Sequence, residues 1–386
     1  MVQAVRTGLE VLLSEGHPEL DGRTIGLVTN PTGVDRQFRS SVDLLHESPR
    51  VDLVALFGPE HGVRGVAQAG ARVGFGIDAR TGLPAHSLYG ETKRPMPEML
   101  AGIDVMVVDI QDVGVRYYTY LSTLVEVQQA AHEAGIRVAV LDRPNPLADL
   151  AIEGNLLQPG FRSFAGAYDV PIRHGMTLGE LAQLIASERG WAAPIVVPVE
   201  GWSRTTWYDE TDLPWVLPSP NLPTLDAVTL YAGTCLIEGT TLSEGRGTTR
   251  PFELIGAPGL DGEALARDLR ARELPGFAFR PAAFVPTFSK HHGQICTGIQ
   301  VYLTDRVTAN ASAFGIHLLE AVRRLTPSFG WAAPGDDDRS YYVDLLLGGS
   351  ETRAMLDAGA AATDIIATWS GVAERFAERR APHLLY

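Results

Sequence analysis

In the stretch Val51-Asp52-Leu53-Val54-Ala55-Leu56-Phe57-Gly58-Pro59-Glu60-His61-Gly62, a run of mostly Val and Leu stops at a turn built from Gly and Pro. The run is too short for a helix and does not alternate with polar residues. It reads as a strand buried on both faces, the kind found in parallel sheets covered by helices. Gly58, Pro59 and Gly62 end it and hold Glu60 at its carboxyl end.

The same pattern recurs on either side. Residues 24–29 run into Asn30-Pro31-Thr32-Gly33, residues 105–110 into Gln111-Asp112-Val113-Gly114, and residues 137–141 into Asp142-Arg143-Pro144-Asn145-Pro146. Helical stretches lie between them, at 40–47, at 119–134 (stopped by Gly135) and at 177–188, before a last strand at 195–199. Strand and helix in alternation predict an α/β fold with a Rossmann-like parallel sheet. Each of the first four strands ends in a polar loop, and open parallel sheets bind ligands beyond the carboxyl ends of their strands. The four loops are expected to converge on one cleft.

Residues 218–253 are irregular with a dense polar centre, and Gly256-Ala257-Pro258-Gly259-Leu260-Asp261-Gly262 reads as a linker. The expected division is a Rossmann-like catalytic domain over 1–255 and a smaller auxiliary α+β domain over 256–386. The second would contain helices at 263–272, 311–325 and 363–377, with strand-like pieces at 277–288 and 298–303. A length of 386 residues fits two domains.

Composition narrows the function. With 45% apolar and 20% charged residues the chain is globular. A net charge of −14 argues against nucleic acid and against an anionic membrane as partners. Cys235 and Cys296 form no metal-type pair, and His291-His292 lacks zinc spacing, so no metal is expected. Gly74-Phe75-Gly76-Ile77-Asp78-Ala79 matches a dinucleotide fingerprint, but no strand directly precedes it. No cofactor is expected. The opening residues lack the apolar core of a secretory leader, so the expectation is a cytoplasmic protein, or a secreted or periplasmic one if a leader has been removed.

Glu60 is the leading catalytic candidate, because a cleft that partly desolvates a carboxyl suits it to general acid work. Its alternative is to cap a helix or to brace the loop through His61. A glycosidase needs a second carboxyl, and Glu153 of Ile152-Glu153-Gly154-Asn155 is the choice by motif; its alternative is a salt bridge to Arg143 or Arg173. Glu238 and Glu244, in the polar run 238–250, are weaker candidates. For substrate binding the candidates are Asn30, His61, Arg64, Asp109, Asp112, Arg116, Tyr118, Arg143, Asn145, Glu244 and Arg246. Amides and carboxylates suit sugar hydroxyls, and a Tyr ring suits a sugar's C–H face. The arginines Arg64, Arg116, Arg143, Arg246 and Arg250 offer forks for a carboxylate.

Together these motifs resemble a known family. Gly26-Leu27-Val28-Thr29-Asn30-Pro31-Thr32-Gly33, the 57–65 turn, the 109–120 block, 141–146, Glu153-Gly154, Arg173-His174-Gly175-Met176-Thr177, Ser219-Pro220-Asn221-Leu222-Pro223-Thr224, the 238–250 run and Leu384-Leu385-Tyr386 occur in the same order as in the NamZ-like exo-β-N-acetylmuramidases. The resemblance implies a Rossmann-like domain, an auxiliary domain and a cleft between them. It implies hydrolytic release of terminal non-reducing β-1,4-linked N-acetylmuramic acid from peptidoglycan fragments, with Glu60 as the carried-over catalytic carboxylate. The alternative function is a non-catalytic muropeptide- or sugar-binding protein on the same scaffold.

Overall fold

A computed structural model describes residues 4–65, 74–90, 92–147, 151–333 and 340–386; the first three residues of the opening segment lie outside it. The N-terminal half runs α1 (Gly8–Glu15), β1 (Thr24–Thr29), α2 (Ser41–Glu47), β2 (Asp52–Gly58), β3 (Gly76–Ile77), β4 (Pro84–Ser87), β5 (Val105–Asp109), α3 (Thr119–Ala134), β6 (Arg137–Leu141), α4 (Leu178–Arg189) and β7 (Ile195–Val197). The strands form one sheet in the order β3-β4-β2-β1-β5-β6-β7, parallel throughout except for β3.

The continuous apolar runs have the predicted cause. Successive residues of β5 face opposite layers: Val105 and Val107 join Leu9, Leu12, Val42 and Leu45 of α1 and α2, while Met106 and Val108 join Leu121, Leu124 and Leu181 of α3 and α4. Both faces are buried, so no polar alternation survives in the sequence. Helix α3 ends at Gly135, whose φ of 70° is the left-handed cap that glycine adopts without a Cβ penalty.

Register lines up the strand ends. Val28 pairs with Phe57, and Thr29 with Asp109, so the loops after β1, β2 and β5 leave the sheet side by side. Strand β1 has β2 on one side and β5 on the other. The winding reverses there, which opens a crevice at the carboxyl edge.

The C-terminal half contains α5 (Leu225–Thr234), β8 (Leu254–Ala257), α6 (Gly262–Ala271), β9 (Phe277–Phe284), β10 (Cys296–Leu303), α7 (Ala311–Leu325), α8 (Tyr342–Leu347), α9 (Glu351–Asp357), α10 (Ala362–Ala367) and α11 (Val372–Arg380). Its sheet is antiparallel, in the order β8-β10-β9. Two expectations are corrected. The stretch 256–262 is not a linker but the end of β8 and the start of α6, so a boundary at 255/256 falls inside a strand. Helix α5 crosses α7 so closely that a Cβ on Gly233 would lie 2.0 Å from the Ala311 carbonyl. The helix expected at 363–377 is two helices, broken at Gly371 with φ 74°.

The chain end then returns to the first unit. Tyr386 Oη donates to Asp142 at 2.8 Å, and Leu385 N donates to Glu180 at 2.8 Å. Among the described residues no helix is long and apolar enough to cross a membrane.

Candidate active site

Strand β2 delivers Glu60 through a turn that sequence alone could only suggest. His61 and Gly62 both have positive φ, 77° and 76°, and Gly62 N closes the turn on Pro59 O at 2.9 Å. A left-handed non-glycine costs on the order of 1 kcal/mol. It is tolerated here because it sharpens the turn and leaves Glu60 facing a cavity of about 450 Å³, within the range of about 300–1,000 Å³ typical of small-molecule sites.

The cavity lies between the two halves. From the N-terminal half come Glu60, His61, Tyr89 and the start of α3, residues Tyr117, Tyr118 and Thr119. From the C-terminal half come Tyr231, Glu238, Arg246, Phe252, Ser289 and Tyr342. Thr119 Oγ1 donates to Glu60 Oε2 at 2.8 Å. Burial, helped by the nearby Glu60 carboxylate, pushes the Tyr89 phenol above its ordinary value. Tyr118 packs edge-on to Tyr120, and burial together with the neighbouring Tyr120 hydroxyl pushes its phenol well above the ordinary value.

Glu238 and Arg246 form the opposite wall. Arg246 Nη2 donates to Glu238 at 2.8 Å, Nε lies 3.0 Å from Glu244, and the guanidinium stacks over Phe252. Nη1 is the nitrogen left over. Burial works against the charge on Arg246, but Glu238 and Glu244 more than offset it and hold the guanidinium above its ordinary value. Burial pushes the Glu238 carboxyl up, and Arg246 only partly opposes this. Lys290 fixes the loop: its ammonium donates to the carbonyls of Ile237, Glu238 and Leu242 at 3.0, 3.0 and 2.9 Å, and to Glu244 at 3.1 Å.

Of the candidates for catalysis and binding, Glu60, His61, Tyr118, Glu238 and Arg246 line the cavity, and Glu244 braces Arg246 from behind. The others do not reach it. Asn30 accepts from Thr32 N at 3.0 Å and Thr32 Oγ1 at 2.6 Å, and donates to Tyr120, which folds its own turn. Arg64 grips Asp78 through two bonds of 2.8 and 2.9 Å. Asp109 and Arg143 are a buried bidentate pair at 2.7 and 3.1 Å. Arg116 is fully buried and spends its fork on the carbonyls of Asn155, Val170 and Leu346, at 2.5, 3.0 and 3.0 Å. Asn145 ties Met176 O to Leu147 N, each at 2.9 Å. These charged and amide groups stitch loops together at the sheet edge, a role with the same composition as a binding loop.

Glu153, expected as the second catalytic carboxyl, does not line the cavity either. It is buried, pairs with Arg173 at 2.6 Å, and accepts from Ser312 N at 3.0 Å, joining the two halves. Glu153→Gln is expected to cost about 1.5–3 kcal/mol of stability, because it weakens a charge-assisted buried network. Turnover per folded molecule should stay at the wild-type value. Chemical denaturation alongside active-site titration checks both.

Asp112 is buried too, accepting from Gly114 N at 2.7 Å, and burial pushes its carboxyl from 3.8 up to about 7. The folded chain then keeps a proton that the unfolded chain has lost. The resulting stability is complete below the unfolded value of 3.8 and is lost as pH rises through about 7. Asp112→Asn, which mimics the protonated acid, should melt like wild type at pH 4. At pH 8 it should be more stable by about 2–4 kcal/mol, at about 1.4 kcal/mol per pH unit. Thermal melts across that range measure the slope directly.

Tyr89, Thr119, Tyr231, Phe252, Ser289 and Tyr342 were not among the expected site residues. Thr119 had a signal, since it closes the block that follows β5. Tyr342 had none, because only the tertiary fold carries it to Glu60.

A carboxyl pair on the walls of one pocket, at the carboxyl edge of an α/β sheet, is the equipment of a glycoside hydrolase. The chain belongs to the NamZ exo-β-N-acetylmuramidase family: residues 25–226 match the family's N-terminal model and residues 229–386 its C-terminal model. It is 47% identical over 99% of its length to the peptidoglycan β-N-acetylmuramidase NamZ of Bacillus subtilis (strain 168), covering 91% of that protein. Its fold is similar to the crystal structures of two DUF1343 family proteins from Bacteroides fragilis NCTC 9343. One has a TM-score of 0.90 at 37% identity, with 99% of each chain covered. The other has a TM-score of 0.79 at 31% identity, with 100% of this chain and 99% of that one covered.

Proposed function

We propose that this protein hydrolyses the β-1,4 bond holding a terminal, non-reducing N-acetylmuramic acid on a peptidoglycan fragment, and that the cavity of Glu60, Glu238 and Arg246 is where it does so. The observation that carries the site is that these three side chains share one cavity, with Arg246 its only Lys or Arg among the described lining residues.

Glu60 gives its proton to the leaving glycosidic oxygen as the bond to the anomeric carbon breaks. Water adds to that carbon and its proton passes to Glu238. Burial makes Glu238 a stronger base than an ordinary carboxylate, which suits it to this step. Arg246 takes the lactyl carboxylate, the group that distinguishes muramic acid from glucosamine. Of the five arginines in or beside the loops, Arg64, Arg116 and Arg143 are committed elsewhere, and half-exposed Arg250 pairs with Glu253 at 3.3 Å. Tyr118 lines the same cavity and gives the sugar an aromatic wall.

The test is release of N-acetylmuramic acid from an aryl β-N-acetylmuramide, beside the matching glucosaminide. Turnover of the muramide, with the glucosaminide at least about 100-fold slower, is expected when a buried charge partner is lost. Equal rates on the two would contradict the role of Arg246, and no release of either would contradict the activity.

A further inference from the structure

The cavity does not end at Glu60. Tyr89, Thr119, Ala165 and Tyr342 also line a second cavity of about 420 Å³. Through Lys93, Ser163 and Phe164 this runs into a third of about 450 Å³. Glu60 sits where the first two meet, since its partner Thr119 faces both. Glu238 and Arg246 face only the first. A group that protonates a leaving oxygen must stand between the sugar being released and the remainder of the chain. The first cavity is then the place of the released sugar, and the other two lie on the leaving-group side.

Their walls suit a glycan. The rings of Tyr89 and Phe164 lie 5.8 Å apart, tilted by 50°, and the Lys93 ammonium sits 4.6 Å above the Phe164 ring. Arg162 lines the second cavity and Arg94 the third, where Arg94 is engaged by Glu133 at 2.6 Å. Lys93 and Arg162 make no ion pair among the described residues, and no described carboxylate lines the second cavity; Glu126 lines the third, within electrostatic reach of Arg94 and Lys93. In a chain of net charge −14 this is a local reversal of sign.

We propose that the second and third cavities form an aglycone groove for an anionic glycan strand. Phe164 and Tyr89 offer faces to the sugars next to the cleaved bond, and Lys93 and Arg162 take a carboxylate carried by the next muramic acid. The proposal rests on the hydrolase reading above. The carboxylate belongs either to a free lactyl group or to a stem peptide amide-linked to it, and both present the same chemistry to the two cations.

The test compares kcat/KM on four substrates: the aryl muramide, the disaccharide, the tetrasaccharide, and the tetrasaccharide with a stem peptide on its inner muramic acid. Wild type should prefer the tetrasaccharides through a lower KM. The double variant Lys93→Ala/Arg162→Ala, two exposed positions, should lose about threefold to tenfold on the tetrasaccharides, again in KM. The loss should shrink in high salt, and the aryl muramide should change by less than about twofold. Phe164→Ala should reduce the same preference without salt dependence. A loss on the peptide-free strand assigns the cations to the lactyl carboxylate; a loss confined to the peptide-bearing strand assigns them to the stem. Equal kcat/KM on short and long substrates, or an equal fall on all four in the double variant, overturns the groove while leaving the hydrolase reading intact. Absence of turnover on all four with wild type would instead refute that reading and the groove with it.

Discussion

Glu60→Gln is expected to lower kcat on the natural disaccharide by about 10³-fold, near the middle of the range a positioned general acid supplies. Gln keeps the shape of the side chain and can still accept from Thr119 Oγ1, which contacts Glu60 at 2.8 Å, so the turn should be undisturbed. The loss should depend on the leaving group. A sugar alcohol needs its oxygen protonated as the bond breaks, whereas a nitrophenolate leaves readily without help. The variant should therefore fall much less on a nitrophenyl muramide than on the disaccharide. A purely structural role would lower both equally. Steady-state rates on the two substrates, with circular dichroism to verify folding, separate the cases.

Glu238→Gln is expected to cost about 10²- to 10³-fold in kcat, the contribution of a general base. Two further signatures distinguish it from a bracing residue. Arg246 would lose one of its two carboxylate neighbours and keep only Glu244, at 3.0 Å. Its charge would be less neutralised, so KM for an anionic sugar should stay level or fall while kcat drops. The pH profile should also change. Burial raises the Glu238 carboxyl, so the wild-type rate climbs with pH as that group gives up its proton, and the acid limb lies above the ordinary carboxylate range. Removing the carboxyl should remove that limb. A kcat–pH profile of wild type and variant tests this.

Much of the scaffold could be read from the chain because its physical causes are local. Strands β1 and β6 were bounded to the residue, since a run buried on both faces is apolar from end to end. Helix α3 was bounded by its 3.6-residue pattern and by Gly135. Reading failed where one residue type serves two purposes. Gly256 and Gly262 resemble a flexible connection, yet they are required where backbones touch: a Cβ on Gly262 would lie 2.2 Å from the Gly298 carbonyl, and one on Gly256 2.6 Å from that of Thr297.

The site divides in the same way. The position of Glu60 at the end of β2 was legible because its turn is local and needs Gly58, Pro59 and Gly62 in sequence. The place of Glu153 outside the cavity was not legible, because a buried ion pair and a catalytic carboxyl have the same composition, and its partners Arg173 and Ser312 are distant in the chain. The buried structural partners of Asp109, Arg116 and Arg143 were hidden for the same reason. Glu238 was visible only as one acid among several in 238–250, and its position opposite Glu60 depends on α5 packing against α7 and on the Lys290 clamp.

The central claim is that one cavity binds and cleaves the terminal muramic acid. A crystal structure of Glu60→Gln soaked with the disaccharide measures it most directly. The muramic acid is expected between Glu238 and Tyr118, with its lactyl carboxylate on Arg246 Nη1. The glycosidic oxygen should lie within about 3.2 Å of the introduced amide, the reach of a proton donor. A disaccharide seated elsewhere, or with its glycosidic oxygen turned away from position 60, would contradict it.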